Sequence, residues 1–238
     1  MNYLMMPMAE HFDGGLGATG EAFEEAAKML AERAAEMPSS HPHIPINFLH
    51  RHAIELFLKS MIVVLHRALE IPYGDSPSDG QPFTAVDGKW QPLHRVHSVG
   101  TLWAHVRAIF KTQTDALKAR CQTDWQDVPP QLDVALAAIE ATDSSSTFFR
   151  YPDGRDTTAE AKKSSWKPVD PTEIVEQLPN ASKPMKALLL FDAEGEVLQQ
   201  AFRYDDAPLA DLSNQLAEAA RLLSGAHTGL RVELAGGF

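Results

Sequence analysis

The chain is poor in cysteine, in basic residues and in long apolar runs, and each shortage removes a class of protein. Its single cysteine, Cys121, has no partner for a disulfide within the chain and suits a reducing compartment. Lysine plus arginine number 21 against 32 aspartate plus glutamate, a formal net charge of −11. A protein that coats DNA without sequence preference needs the opposite surplus, because it must neutralise phosphates. The most apolar stretch, Ile54 to Leu65, is broken by Glu55, Lys59 and Ser60. That falls short of the roughly 18–20 uninterrupted apolar residues of a membrane span. The first residues show no basic segment ahead of an apolar one, so no secretion signal is expected and a cytoplasmic location is the default. Motifs with a fixed chemistry are missing as well. There is no Gly-x-Ser-x-Gly, no His-Glu-x-x-His, no Cys-x-x-Cys and no Walker lysine.

What is there belongs to a folded chain: 238 residues, 44% hydrophobic and 22% charged. Apolar positions at helical spacing predict five longer helices, over about 21–36, 46–71, 98–120 and 130–143, and from 209 onward with an end or kink at Gly225. The second helix is apolar around most of its circumference, so it must be central, with neighbours on several sides. The Gly-rich piece from His11 to Gly20 and the stretch from Pro72 to Pro92 read as loops. Asp170-Pro-Thr-Glu173 starts a short helix that stops before Pro179, and residues 187–191 and 197–204 form a β-hairpin around Asp192–Gly195. The expected fold class is all-α: an antiparallel up-and-down helical bundle of four to five long helices, with a small β-hairpin elaboration. Residues 1–238 make a single domain, with 153–205 as the elaboration.

The polar residues of the second helix carry the clearest signal. His52, Glu55, Lys59, His66 and Glu70 recur at steps of three, four, seven and four, which aligns them in one stripe. Glu55 ahead of Lys59 is the favourable order for an ion pair four residues apart. The stripe is either a solvated or register-fixing face, or a polar seam lining a pocket or a dimer interface. Histidines also crowd the helix entry, at 41, 43, 50 and 52, but His50 and His52 are two apart and point different ways, so no metal is expected. Further on, Phe148-Phe149-Arg150-Tyr151 precedes Pro152. Either a Phe plugs the bundle end while Arg150 meets helix-terminal carbonyls, or Arg150 reaches the Glu55 stripe and Tyr151 offers a stacking face.

These segments resemble a known family. Leu49-His-Arg-His52-Ala-Ile-Glu55-Leu-Phe-Leu-Lys59 resembles the His-x-x-Glu-Leu-x-Leu-Lys helix of HEPN-like bacterial proteins. Val96-His97-Ser98-Val-Gly-Thr-Leu102-Trp103 is similar to their Gly-His-Asp-Leu-x-x-Leu-Trp helix start, with Val96 and Ser98 in place of Gly and Asp. Phe149-Arg150-Tyr151-Pro152 matches a Phe-Arg-Tyr-Pro segment of an uncharacterised branch. The resemblance covers about residues 46–152 and the last helix. It implies a four- or five-helix up-and-down bundle, often dimeric, in a family serving defence, toxin–antitoxin and RNA-processing systems. Its RNase members carry Arg followed four to six residues later by His, and here Arg221 and His227 alone match. With ten histidines in 238 residues such a pair is expected by chance, and Leu222 stands where catalytic members favour a polar residue.

The expectation is therefore a non-catalytic HEPN-like protein that binds a ligand or protein partner through the seam. His52, Glu55, Lys59, His97, Arg150 and Tyr151 would form the site, with no metal and no cofactor. A homodimer is expected, Lys59 and Arg150 leave room for a small anionic ligand, and RNA stays open as a partner. Two alternatives stand beside it. One is a metal-independent RNase toxin or RNA-processing enzyme using Arg221 and His227. The other is a homodimeric interaction module that offers the hairpin edge to a partner.

Overall fold

A helix that is apolar around most of its circumference organises its neighbours. In the computed structural model, which describes residues 3–37, 39, 41–152, 156–177 and 185–237, that helix is α2 (His43–Ala68). Ile54, Phe57, Leu58, Ile62, Val64 and Leu65 on it are all fully buried. Helices α1 (Leu16–Glu32), α3 (Val99–Thr112) and α8 (Ala210–Ala235) pack on α2, and α5 (Pro130–Asp143) packs on α3 and α8. Helix α4 (Thr114–Arg120) extends α3 after a break.

The contacts fix the sense of each helix. Asp13 meets Ser60 while Phe23 meets His52, so α1 runs antiparallel to α2. Asn47 meets Ser213 and Ser60 meets His227, so α8 runs parallel to α2. Glu55 meets His97 and His66 meets His105, so α3 is parallel to α2 as well. Ser98 meets Glu140 and Trp103 meets Asp133, so α5 opposes α3. The expected up-and-down alternation therefore breaks between α2 and α3, where the chain crosses back along the molecule before starting the next helix.

That crossover also corrects the all-α expectation. The stretch read as a loop holds a hairpin of β1 (Phe83–Val86) and β2 (Lys89–Pro92). Asp87 and Gly88 both take positive φ, 49° and 76°, the Asp-Gly turn that matches the twist of a two-residue hairpin. A second sheet, in the order β3-β5-β4, joins β3 (Trp166–Val169), β4 (Ala187–Phe191) and β5 (Leu198–Tyr204) in antiparallel pairs. The β4–β5 hairpin was expected; β3 and the short helix α6 (Thr157–Lys163) were not. Helix α7 (Pro171–Gln177) starts as expected, with the Asp170 carboxylate accepting from the Thr172 N–H at 2.8 Å. Its predicted stop before Pro179 lies outside the described residues, as do 153–155 at the predicted start of the elaboration.

Helix boundaries shift for local reasons. Helix α1 begins inside the Gly-rich piece, because Asp13 Oδ1 and Oδ2 accept the N–H groups of Gly15 and Gly17 at 2.9 and 2.7 Å. Its glycines serve close packing: a Cβ on Gly20 would come within 2.9 Å of the Phe57 ring. Helix α2 starts ahead of Pro45, which sits in the first turn where the missing N–H has no intrahelical partner to lose. It ends when Glu70 takes φ 56° and the Ile71 N–H returns to the His66 carbonyl at 2.8 Å. Ser98 caps α3 as expected, accepting from the Thr101 N–H at 3.0 Å. Helix α8 continues through Gly225 to Ala235, so the predicted end there does not occur.

Candidate functional site

Five charged or ionisable side chains converge where α2 faces the start of α3 and the end of α5. Glu55 is 2% exposed, and its Oε1 accepts from Lys59 Nζ at 2.8 Å and from His97 Nδ1 at 2.9 Å. Its Oε2 accepts from Arg51 Nη1 at 3.3 Å. Arg51 is fully buried and also donates to the His97 carbonyl at 2.6 Å and the Asp143 carbonyl at 3.4 Å. Asp143 stands 4.0 Å from the Arg51 Nε and accepts the N–H groups of Thr147 and Phe148. Arg51 thus rests on a carbonyl at the C-terminal end of α5, the favourable pole for a cation.

The electrostatics follow from this pairing. Burial pushes the Glu55 carboxyl up, but Lys59, its hydrogen bond and that of His97, and the nearby Arg51 outweigh burial and hold it below the usual carboxylate range. Burial pushes Arg51 down against the pull of Glu55 and Asp143. Two buried cations facing two buried carboxylates satisfy the condition under which interior charge is tolerated. His97 is the exposed end of the network, with 42% of its side chain open to solvent. Because Nδ1–H donates to a carboxylate, a neutral ring carries its lone pair on Nε2, the nitrogen that this hydrogen bond leaves free.

Among the residues expected at the site, Glu55, Lys59 and His97 come together. The other three lie beside this group. His52 is half-buried, edge-on to Phe23 at 4.6 Å and stacked on Phe48 at 5.8 Å, and burial lowers its pKa. The Arg150 guanidinium lies 5.4 Å from the centre of the same Phe48 ring. So Arg150 is near the stripe, but the Glu55 carboxylate is held by Arg51, Lys59 and His97. Tyr151 is exposed and lines a cavity of about 360 Å³ behind Asp143. That cavity has Asp143, Asp156 and Glu160 in its wall, and its Lys163 already donates to the Phe148 and Tyr151 carbonyls and pairs with Glu160. Phe149 is the buried plug at this end.

The stripe continues past Lys59 into a different network. His66 Nδ1–H donates to the Ile71 carbonyl at 2.8 Å, so its Nε2 accepts from His105 Nε2–H at 3.2 Å. His105 Nδ1 then accepts from the Thr84 hydroxyl at 2.6 Å and the Ala85 N–H at 3.3 Å. The two rings are neutral and tie the β1–β2 hairpin to the helices. Burial lowers both pKa values, that of His105 to about 4. Glu70 belongs to neither network and marks the helix end.

The catalytic candidates are kept apart. Arg221 sits on the surface in an ion pair with Glu218 at 2.7 Å. His227 is fully buried; its Nδ1–H donates to Ser60 Oγ at 2.9 Å, whose own proton goes to Asp13 Oδ2 at 2.5 Å. Ser60 is fully buried and Asp13 4% exposed, so the cluster is sealed and knits α1, α2 and α8 together. Burial drives the His227 pKa down to about 4 against the attraction of Asp13. The entry histidines also have structural partners: His43 Nε2–H donates to the Lys163 carbonyl at 2.8 Å, and His41 Nδ1 accepts from the Ser165 N–H at 3.1 Å. Among the described residues, no group of three or more His, Cys, Asp or Glu could hold a metal ion. No helix among them is long and apolar enough to cross a membrane.

Arg51 was missed although the same spacing rule finds it, four residues ahead of Glu55. Asp143 and the Asp13–Ser60–His227 cluster leave no comparable mark, since their partners are far away in the chain. No family model, curated protein or solved structure matches this chain.

Proposed function

We propose that the chain is a non-catalytic, HEPN-like helical binding protein that takes a small anionic ligand at the open end of the α2 network. The observation that supports this reading is one histidine. His97 is oriented from inside by a buried, ionised Glu55 and keeps 42% of its side chain open to solvent, while the Arg150 charge acts on His52, which the same Glu55 also influences. Such a ring binds an anion when protonated, with Arg150 as the second charge. The acidic cavity beside Tyr151 is a poor place for that anion, which leaves the His97–Arg150 side. The RNase alternative needs His227 at a surface, and it is fully buried. NMR titration with inorganic phosphate tests the reading. The His97 and His52 ring signals are expected to shift, and Arg150→Ala to weaken binding about tenfold, the loss of one charge-assisted contact. Rings that stay silent at millimolar phosphate, or a response unchanged by the substitution, would overturn it.

A second reading has its own support. β4 is the outer strand of its sheet, and Leu188, Leu190 and Phe191 on it are exposed. An uncharged apolar edge is a template for strand addition, as in a homodimeric interaction module. Sedimentation of the native chain should then show a dimer that Leu190→Lys dissociates. A native chain that sediments as a monomer removes this reading.

A further inference from the structure

A second cavity, of about 290 Å³, lies among Met61 of α2, helices α3, α5 and α8, and the loop over 121–129, and none of the seam residues lines it. Trp103, Phe110 and Trp125 wall it. The rings of Phe110 and Trp125 stand 5.6 Å apart, centre to centre, at 32°. Both indoles are anchored by their N–H groups, Trp103 to Asp133 at 2.7 Å and Trp125 to Glu233 at 3.0 Å. Their positions are thereby set in advance of any ligand, and the acceptors are carboxylates that make the ring faces richer in negative potential.

The opposite wall belongs to α8. Gly225 and Gly229 are one turn apart there, and they differ. A Cβ on Gly229 would touch the Trp125 ring at 3.2 Å, whereas one on Gly225 would meet nothing within 4 Å. Gly229 lets the indole lie against the helix, and Gly225 leaves the space open. Asp124 and Asp127 complete the lining, which contains no Lys, Arg or His. One of these rings already accepts positive charge, since the Arg107 guanidinium rests 5.8 Å from the centre of the Trp103 ring.

We propose that this cavity binds a compact organic cation, a quaternary or methylated ammonium group, held by the Trp103, Phe110 and Trp125 faces with Asp124 and Asp127 as counter-charge. A charge of this kind sheds water readily and gains most from aromatic faces in a desolvated site. An anion is repelled by the two carboxylates, and a neutral apolar ligand gains nothing from them.

Choline and its uncharged carbon isostere, dimethylbutanol, separate charge from shape. With the full-length protein, the indole N–H signals of Trp103 and Trp125 are followed by NMR during each titration. Choline is expected to shift both signals, and the alcohol to bind at least about tenfold more weakly, the difference a desolvated cation–aromatic contact makes. Gly225→Leu fills the open space in a helical position, so it should abolish binding while the fold, read by circular dichroism, is kept. Trp125→Ala should weaken choline binding in the same direction. Equal binding of the alcohol, no shift with millimolar choline, or choline binding retained in Gly225→Leu would each overturn the proposal. Phosphate titration of His97 is independent of all three outcomes.

Discussion

Gly17 and Gly225 are both helical glycines, and they are not equivalent. A Cβ on Gly17 would sit 2.1 Å from the His227 ring, inside the sealed Asp13–Ser60–His227 cluster. Gly17→Ala is expected to cost about 1–3 kcal/mol, as overpacking does, whereas Gly225→Ala should be neutral or gain up to about 1 kcal/mol of helix propensity. Denaturant midpoints of the two variants decide this, and equal midpoints would contradict the packing at Gly17. Lys59→Met tests the seam in the same way. It removes one cation from a buried carboxylate, so a loss of about 3 kcal/mol is expected, with the Glu55 pKa rising. A variant as stable as the native chain would show that Arg51 and His97 suffice. Glu55 and Lys59 were legible because an ion pair four residues apart is a local pattern. The partners of Ser60 were not, since Asp13 and His227 lie 47 and 167 residues away.

At the scale of elements, the parallel run of α2 and α3 depends on the crossover between them and on the hairpin it carries. Thr84, His105 and His66 fasten that hairpin through a single line of hydrogen bonds. Thr84→Val removes the hydroxyl and leaves the His105 nitrogen with only the Ala85 N–H at 3.3 Å, a loss of about 1 kcal/mol. Amide hydrogen exchange should then quicken in β1 and β2 and stay unchanged in α8; uniform quickening would mean the hairpin is not a separate fastening. Long helices were readable from their apolar spacing, and Ser98 from its capping chemistry. The start of α1 was hidden because glycines signal a loop by propensity, whereas here packing against α2 and α8 decides. The β1–β2 hairpin was hidden by a surrounding stretch rich in Pro and Gly, although its Asp-Gly turn was in plain view. The sense of α3 was not legible at all: apolar spacing says that two helices pack, not which way the chain returns.

For the whole molecule, six of the ten histidines have pKa values lowered by burial. A buried histidine with a depressed pKa stays neutral in the fold while the unfolded chain takes up a proton. Its contribution is therefore complete above the unfolded value near pH 6.5 and is lost as pH falls toward the folded value. For His105 and His227 that value is about 4, so each withdraws about 3 kcal/mol across this window. Unfolding midpoints should fall steeply between about pH 6.5 and 4, and His105→Gln should flatten the fall. A midpoint independent of pH there would mean the rings are protonated in the fold. The position of α8 has a different kind of consequence. It runs parallel to α2 and supplies His227 to the Asp13–Ser60 pair, so the central apolar helix has an uncovered side until this segment joins it. During synthesis at about 5–20 residues per second, α2 leaves the ribosome many seconds before α8 does. Until then an apolar side of α2 has no helix to cover it, so the helical core closes only once α8 has been made.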